Sequence, residues 1–159
     1  MNGLGIVFLM LLNVFVGFGI IIPVLPELVT PYDLSMMLSG YSLISFIMSP
    51  LWGAWSDRIG RRPIILIGIS GYALSFFLFG IADHLWLMYA ARLMGGFFSG
   101  AVIACCVAYV ADVTDEEHRT RGMGLVGMAI GLGFVIGPGV GAGLSLLGYS
   151  IPFFASSAL

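Results

Sequence analysis

Lysine is absent from this chain, and charge of either sign is scarce. Charged residues make up 9% of the sequence and hydrophobic residues 60%, at a mean hydropathy of +1.09. A soluble domain carries about 25% charged residues. Too few are present here to coat a water-facing surface, so composition makes this an integral membrane protein. A net charge of -2 without lysine excludes the basic footprint that nucleic acid requires, and no nucleic-acid partner is expected. Cysteine is limited to the adjacent pair Cys105 and Cys106 inside an apolar run. No disulfide framework can be read there, and both thiols behave as small hydrophobes. Also missing are a nucleophile elbow, a phosphate-binding loop, a metal-spaced cluster and a dinucleotide fingerprint. An enzyme reading therefore has no residues to rest on: no catalytic or metal-ligating group is assigned and no cofactor is expected. Met1 to Pro26 carries no charge, lacks a basic leading region and is apolar for too long to be a cleaved signal peptide. It is expected to be a retained first helix.

What is present is a series of long charge-free runs. A helix needs about 20 residues to cross the hydrocarbon core, so the chain holds five or six crossings with short connections. The runs predict an all-α membrane domain over residues 1–159, with helices at 4–25, 35–55, 63–82, 85–111 and 122–147. A sixth opens at 153 and is incomplete at Leu159. Pro23 and Pro26 are expected to stop the first helix by removing backbone donors. Pro63 suits the first position of the third helix, and Thr114-x-x-Glu117 has the form of a capping box before the fifth. Polar connections are expected at Glu27–Asp33, Asp83–His84, Asp112–Arg121 and Gly148–Pro152. Arg58, Arg61 and Arg62 follow the second helix, Arg119 and Arg121 follow the fourth, and the alternate connections carry no arginine. By the positive-inside rule both arginine loops, and with them the N-terminus, face the cytoplasm.

Four constellations could carry function. The block Gly53-Ala54-Trp55-Ser56-Asp57-Arg58-Ile59-Gly60-Arg61-Arg62 concentrates four charges and two glycines within ten residues, as in a tight loop between two spans. Asp57 stands at the negative end of the second helix dipole, where an acid is disfavoured by about 0.3–1 kcal/mol and calls for a partner. The arginines of this block can also reach Asp112, at the similarly negative end of the fourth helix. Arg92 is the only strongly ionised side chain within an apolar run, roughly 10 Å along its helix at about 1.5 Å per residue. A charge at that depth costs about 2.5–3.5 kcal/mol and marks a functional site. Asn13 is a candidate hydrogen-bonding companion in the bundle. No carboxylate lies deep in any run, so none is available there as a proton relay. The fifth helix carries Gly133, Gly137 and Gly141 at every fourth position, a smooth stripe for close helix approach, with a kink at Gly137-Pro138. Ser42, Ser45 and Ser49 share a face of the second helix, and the first four helices are rich in Phe and Met. Such a lining suits bulky hydrophobic or cationic compounds.

The block from Gly53 to Arg62 resembles the cytoplasmic-loop signature of the major facilitator superfamily, G-x-L-A-D-R-x-G-R-K, departing from it at Trp55, Ser56 and Arg62. Arg92-Leu93-Met94-Gly95-Gly96 is similar to that family's fourth-helix motif R-x-x-x-G. Gly124, Gly133, Gly137-Pro138 and Gly141 fit its fifth-helix antiporter motif G-x8-G-x3-G-P-x2-G-G, with Ala142 in place of the last glycine. Pro23-Val24-Leu25-Pro26 looks like the end of the first helix in the drug:proton antiporter branch. The resemblance implies the N-terminal six-helix half of a twelve-helix exporter driven by the proton gradient and working by alternating access. Gly53, Asp57, Arg58, Gly60, Arg61, Arg62 and Asp112 would form a cytoplasmic gating latch, Arg92 with Asn13 would serve coupling or transport, and Gly124, Gly133, Gly137, Pro138 and Gly141 would line the gate. The implied partners are a small hydrophobic or cationic substrate, the bilayer of the cytoplasmic membrane and a C-terminal half. A carrier of a sugar or another metabolite, and a non-transporting membrane scaffold, are the competing expectations.

Overall fold

The computed structural model describes residues 3–148 and 151–158. Tyr149 and Ser150, in the expected fifth connection, and Leu159, in the expected sixth run, lie outside the described residues. Six helices account for nearly all of the rest: α1 (Gly3–Leu28), α2 (Pro31–Ile59), α3 (Arg61–Gly80), α4 (Leu85–Val113), α5 (Glu116–Ser145) and α6 (Ile151–Ala158). The first five are long and apolar enough to cross a membrane. Large apolar side chains such as Phe46, Trp86 and Val135 cover the outside, while Leu11, Met37, Phe76, Val102, Cys105 and Cys106 fill the core.

Each of the first five helices has bounds that differ from the charge-free runs. Pro23 and Pro26 lie inside α1 and do not end it. In lipid a continuous helix is the way to pair backbone groups, and packed neighbours let it tolerate a proline. The polar stretch Glu27–Asp33 is mostly helical. Thr30 caps α2 by accepting a hydrogen bond from the Asp33 amide at 3.2 Å, and Pro31 takes the first helical position. Pro63 stands third in α3, because Gly60 alone joins α2 to α3. The same economy shortens the stretch after α4: Asp112 is helical, and α5 begins at Glu116, so Arg119 and Arg121 stand within a helix. The expected capping box does not form. Thr114 turns its hydroxyl back to the Val110 carbonyl at 2.6 Å, and Asp115 occupies the cap position without a side-chain bond.

Packing is organised in pairs: α1 lies along α5, α2 along α4, α3 against the far side of α4, and α6 against α3. Glycine sets how close the pairs come. A methyl placed on Gly137 would meet Gly19 Cα at 2.7 Å, and one on Gly133 would meet the Phe15 backbone carbon at 2.9 Å. The α2–α4 pair uses Gly96, beneath the Tyr41 backbone, and Gly100, beneath Ser45. Trp52 adds a clamp, donating its indole N–H to the Phe97 carbonyl at 2.8 Å. By contrast α1 and α2 barely touch, which leaves a seam between the two pairs.

Candidate functional site

At the arginine-bearing end, Gly60 adopts φ +107, ψ 152, a backbone region essentially confined to glycine. This one-residue reversal brings the last turn of α2 and the first turn of α3 together. Arg61 becomes the hub of a charge cluster. Its Nη2 pairs with Asp57 Oδ1 at 2.7 Å, and its Nε donates to Asp112 Oδ2 at 3.0 Å. Its Nη1 donates to the buried Ser56 hydroxyl, which donates in turn to the Gly53 carbonyl at 2.7 Å. Three helices are thus tied by one guanidinium that is only 18% exposed. The carboxylates are 62% and 54% exposed, so each ion pair contributes at most about 1 kcal/mol to stability. The cluster is therefore a modest contributor to stability. Arg58 and Arg62 are exposed and make no ion pair among the described residues. Gly53 lies within α2 rather than in a loop, and a methyl there would meet nothing within 4 Å.

Arg92 is only 4% exposed and sits where α1, α2 and α4 converge. Its guanidinium carbon lies 5.0 Å from the Tyr41 ring centroid and 5.9 Å from that of Phe18. Cation–π attraction in a desolvated site is worth about 2 kcal/mol or more, comparable to the burial cost estimated from sequence. Nε and Nη2 nevertheless have no hydrogen-bond partner among the described residues. Asn13 is not brought to Arg92. It lines a separate cavity of about 220 Å³ with Met10, Val14, Tyr72 and Ser156, whereas Arg92 borders a smaller one with Ile21, Ser75, Phe76 and Phe79.

An aromatic ladder extends from this cation toward the surface. The Tyr41 ring lies 5.4 Å from Phe18, Phe18 5.8 Å from Phe134, and Phe134 5.5 Å from Phe15. Tyr41 is buried and Phe134, on α5, is 41% exposed, so the ladder bridges both helix pairs across the seam. Sequence reasoning noted that aromatics were abundant but not these four, because their meeting depends on how α1 and α5 cross. Ser56 was missed for a similar reason: its role appears only once Gly60 folds Arg61 back onto α2. Of the three serines expected on one face, Ser45 lies 3.5 Å from Ser99 of α4, Ser49 bonds the Ser45 carbonyl, and Ser42 is exposed. Gly133, Gly137 and Gly141 face α1, whereas Gly124 faces open space. Pro138 lies inside α5, where its ring would be 3.0 Å from a methyl on Gly19.

Apolar spans and glycine-mediated helix contacts together define a multi-pass membrane protein. Residues 7–159 match the Major Facilitator Superfamily, and the chain belongs to that family. It is 39% identical to Multidrug resistance protein 2 of Bacillus subtilis (strain 168), over 96% of this chain and 40% of that protein. It is 37% identical to Tetracycline resistance protein, class E, of Escherichia coli, over 90% of this chain and 37% of that protein. Identity with Quinolone resistance protein NorA of Staphylococcus aureus (strain MRSA252) is 30%, over 92% of this chain and 39% of that protein. The structure of the human organic anion transporter MFSD10 (TETRAN) superposes with a TM-score of 0.85 at 28% identity, covering 98% of this chain and 44% of that one. The expected kinship with the drug:proton antiporter branch therefore stands. The chain spans about two fifths of the length of these curated relatives.

Proposed function

We propose that this chain forms the N-terminal half of a proton-driven exporter of hydrophobic, drug-like compounds. It works by alternating access in the cytoplasmic membrane, with its N-terminus on the cytoplasmic side. The observation that carries the reading is Arg92: a buried guanidinium with two nitrogens unpartnered among the described residues, held by aromatic rings at the seam between two helix pairs. A scaffold protein has no use for so costly a group. The resistance phenotypes in the names of the bacterial relatives support export, and the fifth-helix glycine–proline pattern supports an antiporter over a sugar or metabolite carrier. Arg61 with Asp57 and Asp112 serves as the cytoplasmic latch, strong enough to hold one state and weak enough to release it. Arg58 and Arg62 anchor that end at the membrane surface. No cofactor is needed, since the proton gradient supplies the driving force.

Fluorescent-dye efflux from cells expressing the full reading frame tests the reading. Arg92→Ala should abolish energy-dependent efflux while the protein still inserts at normal abundance. Dye export undiminished in that variant would remove Arg92 from the mechanism.

A further inference from the structure

A small cavity lies between α1, α3 and α4, near the end of the bundle opposite Gly60. Ile21, Phe76, Phe79 and Ala91 give it apolar walls, and Ser75 and Arg92 are the two polar side chains that border it. None of the six is more than 4% exposed. Phe153 of α6 closes over Phe79 at a ring separation of 4.7 Å, so the space is enclosed by this chain's own residues. Its volume of about 10 Å³ is too small for any organic group. It meets the lower bound for a single water, about 10–15 Å³.

The polar borders decide whether such a space is wet, since a buried water needs about two to four polar partners. On α4, Arg92 Nε and Nη2 have no partner among the described residues. They lie on one edge of the guanidinium with parallel N–H groups, so a single oxygen can accept from both. On α3, the Ser75 hydroxyl donates to the Tyr72 carbonyl at 2.6 Å, which leaves its oxygen free to accept. That oxygen lies beside the Arg92 face of α4, 3.0 Å from where a methyl on Gly95 would stand. Donors on one helix thus face an acceptor on the next. Leaving two N–H groups of a buried cation unsatisfied costs more than immobilising one water.

We infer that one ordered water occupies this cavity, accepting from Arg92 Nε and Nη2 and donating to Ser75 Oγ. Its bonds number about three, as is usual for a buried water. Ser75 is then a positioning residue, holding through the water a cation whose faces meet Tyr41 and Phe18. The inference is independent of the export reading and of the compound carried.

Proton-detected solid-state NMR tests it, on the protein expressed from its full reading frame, isotope-labelled at arginine and reconstituted in bilayers. The Arg92 Nε–H signal is assigned by its disappearance in Arg92→Lys. Magnetisation should pass from water to that N–H in the unsubstituted protein. The transfer should be lost in Ser75→Val, which removes the acceptor and fills the space. Ser75→Ala removes the acceptor alone and should weaken the transfer; it decides the matter if the valine variant loses its helical circular dichroism. The exposed Arg58 and Arg62 should keep their transfer in every variant, a control that a merely structural disturbance would fail. Absence of transfer to Arg92 in the unsubstituted protein would show a dry cavity and overturn the inference. Transfer undiminished in the Ser75 variants would overturn it too, because water would then reach Arg92 from another side.

Discussion

Replacing Gly137 and Gly131 by alanine, one at a time, compares the same chemistry on two faces of one helix. A Cβ on Gly137 would stand 2.7 Å from Gly19 Cα and 2.8 Å from the Val16 carbonyl oxygen. Carbon atoms settle at about 3.5–4.0 Å, and both obstacles are backbone. Relief therefore requires α1 to retreat from α5 by about 1 Å, loosening the contacts at Gly133 and Gly141 as well. Such overpacking costs about 1–3 kcal/mol. On Gly131 the new methyl would meet nothing within 4 Å, and alanine is favoured there by about 0.8–1.0 kcal/mol of helix propensity. That propensity gain is common to both variants, so they should differ in unfolding free energy by the overpacking cost, about 1–3 kcal/mol. SDS-induced unfolding of the purified protein in mixed micelles, followed by tryptophan fluorescence and circular dichroism, measures the difference. If Gly137→Ala is as stable as Gly131→Ala, the glycine stripe does not set the α1–α5 distance and the argument fails.

Gly60→Ala should destabilise the protein by about 1–3 kcal/mol, because its backbone conformation strains any L side chain. Gly53→Ala, seven residues earlier with open space around it, should be neutral or slightly stabilising in the same unfolding assay. Arg61→Ala should lower stability by no more than about 2 kcal/mol, about 1 for each ion pair, since both partner carboxylates are more than half exposed. Dye efflux should nonetheless fall severalfold in that variant, and parallel thermal-denaturation and transport measurements would separate latch from foundation. Trp52→Phe removes the bond to the Phe97 carbonyl and should cost about 0.5–1.5 kcal/mol. Trp52→Ala also empties a core position and should cost about 3–5 kcal/mol in denaturant titration.

The number and order of helices were legible in the sequence because they depend on charge, and charge is nearly absent from the spans. Helix ends were less legible. Pro23 and Pro26 read as stops under rules drawn from water, where a lost donor frees the chain to turn; inside α1 the helix simply continues. Thr114 offered the right spacing for a cap, but its hydroxyl found the closer carbonyl of Val110. Asp57, Arg61 and Asp112 were singled out from charge alone, and the structure joins them through Gly60, whose positive φ no spacing rule specifies. The glycine spacing in α5 showed which face could be smooth; that Gly124 lies off the contact with α1 required the helix crossing itself. Asn13 and Arg92 are both polar groups in apolar runs, yet they line different cavities. One-dimensional spacing carries no information about which helix stands between them.

The single-residue connection at Gly60 bears on how the protein is made. With no slack between α2 and α3, the two helices form a tight hairpin. Arg58, Arg61 and Arg62 ride at its tip. Dragging three guanidinium groups through hydrocarbon would cost about 7–10 kcal/mol even on the gentlest scale. The side of the membrane on which the turn first emerges during synthesis is therefore the side on which it stays, and the helices that follow inherit their direction from it.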